Sequence, residues 1–495
     1  MLEELNRWEE RVNAYQYVRG LINLDLNAKP PILGMDSAQK KISLLIGESF
    51  AIEYNPEIYN LLLELEKEDL NPLDARRVEL YKKKLEKNLS LPKEEYVDYR
   101  NKLTASSQAW LKYKHNGDWK SYVPYFKDFL ASFKKLQSYR NEEGSLYDRL
   151  LTEHQEGWNK KRYDDFFFAL KKELLPLLKE IQKRPQIDNS FLHQSYPADV
   201  QRKYMQSLLD YIGYTSDWGK ISESEHPLTS WLSANDIRFT TKYREKDISA
   251  AIFSTIHESG HAYYTHQVDE AYHDTIIATS MEAAAQESQS RLCENHLGHN
   301  YAFWEAQFPV LKDYFPNQLG DISLDEFYRA IHKVEASAIR IEADEITYPF
   351  HIMIRYEIEK MIFDGEVEIE QLDELWKEKY KEYLGMDIHN AAEGILQDMH
   401  WPYDYFGYFP TYALGSAFAS QIYSCLEKEI DVEEALRNHQ YPKVMNWLKQ
   451  NVHGYGNMIS MDEVIRRISG ESFQVSYYII YLKEKNSKIY GLGAF

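Results

Sequence analysis

The sequence predicts a mainly α-helical protein, one large helical unit of two lobes with a small β-sheet. Three observations carry that prediction. Apolar residues recur at steps of three and four along most of the chain, as they do on one face of a helix. Only one stretch alternates as a strand does. No internal repeat, low-complexity tract or Pro/Gly/Ser linker interrupts the 495 residues, so 1–495 is expected to form a single domain.

Taken in order, Leu2, Leu5, Trp8, Val12 and Tyr15 share one face of an opening helix. Pro30-Pro31 and Gly34 break it, and Asp36 or Ser37 then caps a helix carrying Ile42, Leu45, Ile46 and Ala51. Glu64 to Lys87 is dense in charge and is expected to be a solvated helix face. Tyr163 to Ile181 reads as a helix that buries Phe166, Phe167, Leu170, Leu174 and Leu175. Thr215 to Pro227, with its Gly, Ser, Asp and Pro, reads as a loop. Asp236 to Tyr243 is the strand, with Ile237, Phe239 and Thr241 alternating against Arg238, Thr240 and Lys242. Asp247 or Ser249 caps the helix that follows, which turns Ile248, Ile252, Phe253 and Ile256 inward, and Ala278 to Leu297 is expected to be its successor.

Composition narrows the class of function. With 44% hydrophobic and 27% charged residues the chain is an ordinary globular one. A net charge of −20 argues against nucleic acid or an anionic membrane as partner. Two cysteines, Cys293 and Cys425, are too few for a secreted disulfide framework. No segment is apolar enough to span a bilayer, and the acidic opening Met1-Leu-Glu-Glu-Leu does not read as a signal peptide, so a cytoplasmic location is expected. Thirty-nine tyrosines suit a large, partly wet interior surface such as a long cleft. Asn88-Leu-Ser90 matches a glycosylation acceptor by chance.

The sharpest chemical signal is His257-Glu258-Ser259-Gly260-His261. Histidines at i and i+4 lie on one helical face, where both imidazoles can meet one tetrahedral zinc ion. Glu258 is placed to act as general base toward a water held there. Gly260 costs about 1 kcal/mol in a helix, which implies that something approaches the backbone closely at that point. A catalytic zinc takes a third protein ligand. His266 and His273 are nearby, and the following helix offers Glu282, Glu287 and Glu294; spacing alone puts Glu287 only slightly ahead of Glu282. Farther on, Arg340 and Asp344 stand at i and i+4 on an expected helix, as an ion pair would. Gly394-Ile-Leu-Gln-Asp-Met-His-Trp401 then leads into an aromatic run with Tyr408 and Tyr412, able to pack as a corner or to donate hydrogen bonds to an oxyanion.

Five ordered motifs together resemble the carboxypeptidase Taq family of thermostable metallocarboxypeptidases, over essentially the whole chain. They are Asp236-Ile-Arg238-Phe-Thr240, His257-Glu-Ser-Gly-His261, Glu287-Ser-Gln289-Ser-Arg291, Ile339-Arg340-Ile-Glu-Ala343-Asp344 and Gly394-Ile-Leu-Gln397-Asp398-Met-His400-Trp401, with a weaker echo in Leu24 to Pro31. The resemblance implies a two-lobed helical fold with a deep groove, similar to neurolysin and angiotensin-converting enzyme, and a homodimer. It also implies Glu287 as third ligand. Two departures stand out: Gln286 where the family more often has His, and His226-Pro227-Leu228 where it usually has His-Pro-Phe.

The reading that results is a zinc carboxypeptidase acting on peptides with a free C-terminus. His257, His261 and Glu287 hold one Zn2+ per subunit, for which Co2+ or Mn2+ can substitute. Glu258 is the base, Arg340 and Arg238 grip the terminal carboxylate, and His400 with Tyr412, or Tyr408 in its place, faces the oxyanion. The rivals are a zinc oligopeptide endopeptidase, which has no use for a carboxylate anchor, and a metal-free helical scaffold.

Overall fold

The computed structural model describes residues 1–27, 32–140, 143–224 and 227–493; Pro30, Pro31 and His226 lie outside the described residues. Among the described residues the chain is helical apart from one three-stranded sheet, as the class predicted. No described helix is long and apolar enough to cross a membrane. The chain's internal packing divides it into two units, each assembled from three separated stretches.

The first unit comprises Met1–Leu89, Ile187–Ile331 and Phe418–Phe473. Its opening helix, Leu2–Asn27, buries Leu5, Trp8 and Val12 in one cluster with Ile58, Leu62, Leu65, Val78, Tyr81 and Leu85. The next helix, Met35–Glu53, starts behind Gly34, which provides no side-chain cap; Ile42 is buried, whereas Ile46 and Ala51 are exposed, so only part of the expected stripe is apolar contact. The charged Glu64 to Lys87 stretch also departs from a purely solvated face. Arg77 is buried and pairs with buried Glu9, while Asp74 holds its other arm at 2.7 Å. Glu9 further accepts from Tyr81 Oη at 2.7 Å and from the Ile276 backbone N–H at 3.0 Å. A buried carboxylate needs such partners, and through them the first helix holds the start of the short Ile276–Thr279 helix, which precedes the Ala283–Arg291 helix.

The sheet belongs to the same unit. Strands β1 (Gly219–Glu223), β2 (Leu228–Ser233) and β3 (Asp236–Thr241) lie in the order β1-β3-β2, with β1 parallel and β2 antiparallel to β3. The alternation that predicted β3 holds from Ile237 to Phe239, which are fully buried against Leu209, Tyr214 and Ala262 with Arg238 turned away, but Thr240 is buried as well as Thr241. The expected loop at Thr215 to Pro227 is corrected, because β1 runs through it. Gly-Lys-Ile-Ser-Glu is too polar to stand out, and pairing with β3 supplies what its own sequence lacks. Tyr214 packs on Gly219 so closely that a Cβ there would lie 2.2 Å from its ring.

The second unit comprises Ser90–Gln186, His332–Ala417 and Gln474–Phe495. Its Lys160–Ile181 helix buries Phe166, Phe167, Leu170 and Leu174 as the spacing predicted, and Tyr163 besides, with Leu175 only half-buried. Phe126, Phe129, Phe133 and Phe363 surround Phe406, with ring centroids 5.1–6.4 Å from it. The expected helix through Arg340 is corrected too. Arg340–Glu342 is a single 3-10 turn, and the long helix begins only at Tyr348.

Candidate active site

In the first unit, Asp247 caps the Ile248–His266 helix by accepting from the Ala250 N–H at 3.2 Å. Ile248, Ile252 and Ile256 then hold it against the core, with Phe253 half-buried. His257 and His261 therefore project from one face. The Ala283–Arg291 helix lies against this one at Gly260, where an added Cβ would sit 2.5 Å from Gln289 O and 2.6 Å from Ser290 Cα. That contact is the close backbone approach the glycine implied.

It also delivers Glu287. Its Oε2 lies 3.8 Å from His257 Nε2 and 3.7 Å from His261 Nε2. Three donors on one tetrahedral metal at bonds of about 2.0–2.1 Å stand roughly 3.4 Å apart, so two imidazoles and a carboxylate fit a divalent ion with only small adjustment. Among the described residues, this trio is the only group of three or more histidine, cysteine or acidic side chains that could hold one. The rival third ligands are elsewhere engaged: Glu282 accepts from the Met461 N–H at 3.0 Å, His266 donates to Ala234 O at 2.9 Å, and His273 donates to Val268 O at 3.1 Å.

The outer partners settle the tautomers. Glu294 Oε2 accepts from His257 Nδ1–H at 2.8 Å, and Gln286 Oε1 accepts from His261 Nδ1–H at 3.3 Å, which leaves each Nε2 lone pair for a metal. Gln286 thus serves as the outer partner of His261. Arg291 donates to Glu287 Oε1 at 2.7 Å and to Glu294 Oε2 at 3.1 Å. Burial opposes ionisation of Glu294, but Arg291 and His257 outweigh it and bring its pKa down to about 2; Glu287 is lowered for the same kind of reason, against its burial, by Arg291 and both histidines. Burial pushes His261 down to about 4, so that imidazole is neutral near pH 7. Glu258 is buried beside the trio, and burial raises its pKa. Thr229 Oγ1, on β2, donates to its Oε2 and fixes the carboxylate.

Arg238 sits on β3 with its side chain turned from the Ile237–Phe239 core face, 30% exposed and held by both oxygens of Asp236 at 2.7 and 2.8 Å. Thr240, the last residue of that motif, accepts from the Leu228 N–H at 3.2 Å and so knits β2 to β3.

The second unit gathers the remaining candidates. Arg340 does not pair with Asp344, whose oxygens accept from the N–H groups of Glu335, Ile346 and Thr347 at 2.8–3.1 Å. Its partner is Asp398, reached through Nε at 3.0 Å and Nη2 at 2.9 Å, while Nη1 donates to Tyr348 Oη at 3.2 Å. A second guanidinium, Arg355, donates to Asp398 Oδ2 at 2.6 Å. The Arg340 N–H donates to Gln397 Oε1 at 2.9 Å, so the Gly394 to Trp401 motif holds this arginine by main chain and side chain together. His400 Nε2 lies 3.0 Å from Tyr412 Oη, the guanidinium of Arg340 lies 5.0 Å from the Tyr412 ring centroid, and the Tyr408 ring lies 5.3 Å from that of Tyr412. Burial, reinforced by Arg340, pushes His400 down to about 3, so it is a neutral imidazole. Sequence reasoning missed Asp398 as the partner of Arg340, Arg355 as the second cation on Asp398, and Thr229 as the partner of Glu258. Asp398 stood in a quoted motif and was the one available signal.

A family profile described as carboxypeptidase Taq (M32) metallopeptidase matches residues 4–486. "Carboxypeptidase 1" of Bacillus subtilis is 36% identical over 487 residues, covering 97% of each chain, and "Thermostable carboxypeptidase 1" of Thermus thermophilus is 33% identical over 84% of each. The crystal structure of an M32 carboxypeptidase from Deinococcus radiodurans superposes with a TM-score of 0.96 at 29% identity, covering 99% of both chains.

Proposed function

The chain belongs to the carboxypeptidase Taq (M32) metallopeptidase family, and from that premise we propose how its own residues divide the work of a metallocarboxypeptidase. Removal of the C-terminal residue of a peptide is the family's activity, and the endopeptidase reading is not favoured. The convergence of His257 Nε2, His261 Nε2 and Glu287 Oε2 carries the proposal.

These three residues would hold one Zn2+ per subunit, with Co2+ or Mn2+ able to replace it. When bound, such an ion supplies Lewis-acid polarisation and brings a water's pKa from 15.7 toward ~7. Glu258 takes one proton of the attacking water and passes it to the leaving nitrogen as the C–N bond breaks, and the water's second proton follows by the same carboxylate, so the water's oxygen ends in the new carboxylate and the released residue leaves as its ammonium form. His400 and Tyr412, with Tyr408 as the alternative, donate to the carbonyl oxygen as it becomes an oxyanion. A neutral imidazole suits that role. Tyr412→Phe is expected to lower kcat by about 10²–10³ with little change in KM; unaltered kcat moves the role to Tyr408.

Arg340 and Arg238 supply the cations for a free C-terminal carboxylate, and each is already oriented by an aspartate. The whole chain acts as one catalytic domain, a reading supported by the span of the family match. We further propose a homodimer, a reading supported by the family resemblance, and a cytoplasmic setting, with which the two buried free cysteines are consistent. The deciding experiment compares an N-blocked peptide with its C-terminal amide by mass spectrometry. Selective trimming of the free acid is expected, and equal cleavage of both overturns the clamp.

A further inference from the structure

We propose that Arg355 is a positioning residue that sets the preference for a free C-terminus, by keeping one positive charge uncompensated at the Arg340 clamp. The inference rests on the reading of Arg340 as that clamp. Asp398 is the carboxylate in direct contact with both arginines. Its Oδ1 accepts from Arg340 and its Oδ2 from Arg355, so one negative charge faces two guanidiniums. Arg340 is 7% exposed and Arg355 fully buried. Among the described residues, the ionisable neighbours in contact do not balance the sum. His351 and His400 are neutral, both pushed down first by burial and then by these arginines. Burial raises Tyr380, the phenol beside Arg355, so it carries no charge either. Lys114 Nζ, which donates to Gln397 O at 3.1 Å, adds positive potential near Asp398.

A buried net charge is costly unless a counter-ion arrives. A peptide's terminal carboxylate is such a counter-ion, and a terminal amide is not. Without Arg355, Asp398 alone would neutralise Arg340 and the clamp would gain little from a second anion. Arg355 cannot touch substrate itself. Its Nη1 donates to His351 O at 2.8 Å, its guanidinium lies 4.6 Å from the Trp376 ring centroid, and no part of it reaches the surface. It acts through Asp398.

The test is the ratio of kcat/KM for a free-acid peptide to that for its amide, measured on the metal-loaded enzyme across a charge series. Arg355→Met brings the contact trio from +1 to 0 and is expected to lower the ratio about tenfold or more. Arg355→Met with Asp398→Asn returns it to +1 and is expected to recover most of the ratio. Arg355→Lys keeps the charge without the planar fork and is expected to stay within about threefold of wild type; it also carries the test if the Met variant does not fold. An unchanged ratio in Arg355→Met, no recovery in the double variant, or a loss in Arg355→Lys as large as in Arg355→Met overturns the proposal. Arg340→Ala separates the two readings. If it leaves the acid preference intact, the clamp itself is wrong; if it abolishes the preference while the charge series shows no trend, only the role of Arg355 falls.

Discussion

Among single residues, the division between holding a metal and moving a proton is the most exposed to test. Glu258 has its carboxylate fixed by Thr229 and is not one of the trio His257, His261 and Glu287 proposed to hold the metal. Glu258→Gln is therefore expected to bind metal stoichiometrically and to lose nearly all turnover, measured by metal analysis beside a peptidase assay. Glu287→Ala removes a ligand oxygen and should lose the metal; tight binding in that variant, with loss in Glu282→Ala, would reverse the assignment. Glu294 is the subtler case. Its oxygen takes the Nδ1 proton of His257 and so fixes that ring's tautomer. Such partners are worth about 10–100-fold in metal affinity, and Glu294→Ala should weaken binding by that much without abolishing it. His257, Glu258 and His261 were legible because their relation is local, within five consecutive residues of one helix. Spacing could not decide between Glu282 and Glu287, since both lie at the right remove; only the resemblance did. Arg340 was legible as a cation but not in its bonding, because Asp398 lies 58 residues away and a nearer acid, Asp344, stood at the misleading i+4 position.

At the scale of elements, the site depends on two helices approaching more closely than side chains allow. Gly260 faces backbone atoms of the Ala283–Arg291 helix, and a peptide carbonyl or a Cα cannot rotate aside as a flexible side chain can. Gly260→Ala would gain about 1 kcal/mol of helix propensity and lose about 1–3 kcal/mol or more to overpacking, so net destabilisation is expected. The same displacement moves Glu287 away from His257 and His261. A lower Tm accompanied by weaker metal binding is the expected pair of results, and an unaffected Tm would show that the helices are not in this contact. The sequence revealed the helix of Gly260 and the meaning of that glycine, leaving open only its cap and placing Phe253 farther inside than it lies. It revealed the sheet poorly. β3 alternates because one face is core, but β1 is an edge of polar residues whose strand character comes from its partner. The segment after Arg291 was expected to continue as an α-helix and instead runs on as a π-helix, Leu292–Gly298. Period-based reading has no signal for one extra residue per turn.

Over the whole molecule, two opposed sets of buried carboxyls shape the response to pH. Asp398 is held well below the usual carboxylate range by Arg340 and Arg355 against its burial. Its contribution is present above the unfolded-state pKa and is lost on acidification. Glu359 and Asp404 behave in the opposite way. Glu359 is fully buried with no cation beside it among the described residues, and burial pushes it up to about 8 although Tyr147, the Gly407 N–H and the Trp401 indole all donate to it. Burial likewise pushes Asp404 up to about 7, against its bond from Tyr99. For both, the folded state binds the proton more tightly than the unfolded chain. The stability they contribute is therefore complete below about pH 4 and is lost as pH rises through 7 and 8. A net charge of −20 adds repulsion of the same sign at high pH, so the raw Tm profile cannot isolate the effect. Glu359→Gln can, because it keeps a neutral, hydrogen-bonding side chain at every pH. Between about pH 5 and 8 the wild type should lose stability relative to this variant, at up to about 1.4 kcal/mol per pH unit for the one proton concerned. Below pH 4.5 the difference should be flat. Parallel Tm curves through neutrality would mean that Glu359 is ionised in the folded protein, and that Tyr147, Trp401 and Gly407 alone are enough to hold a bare carboxylate in the interior.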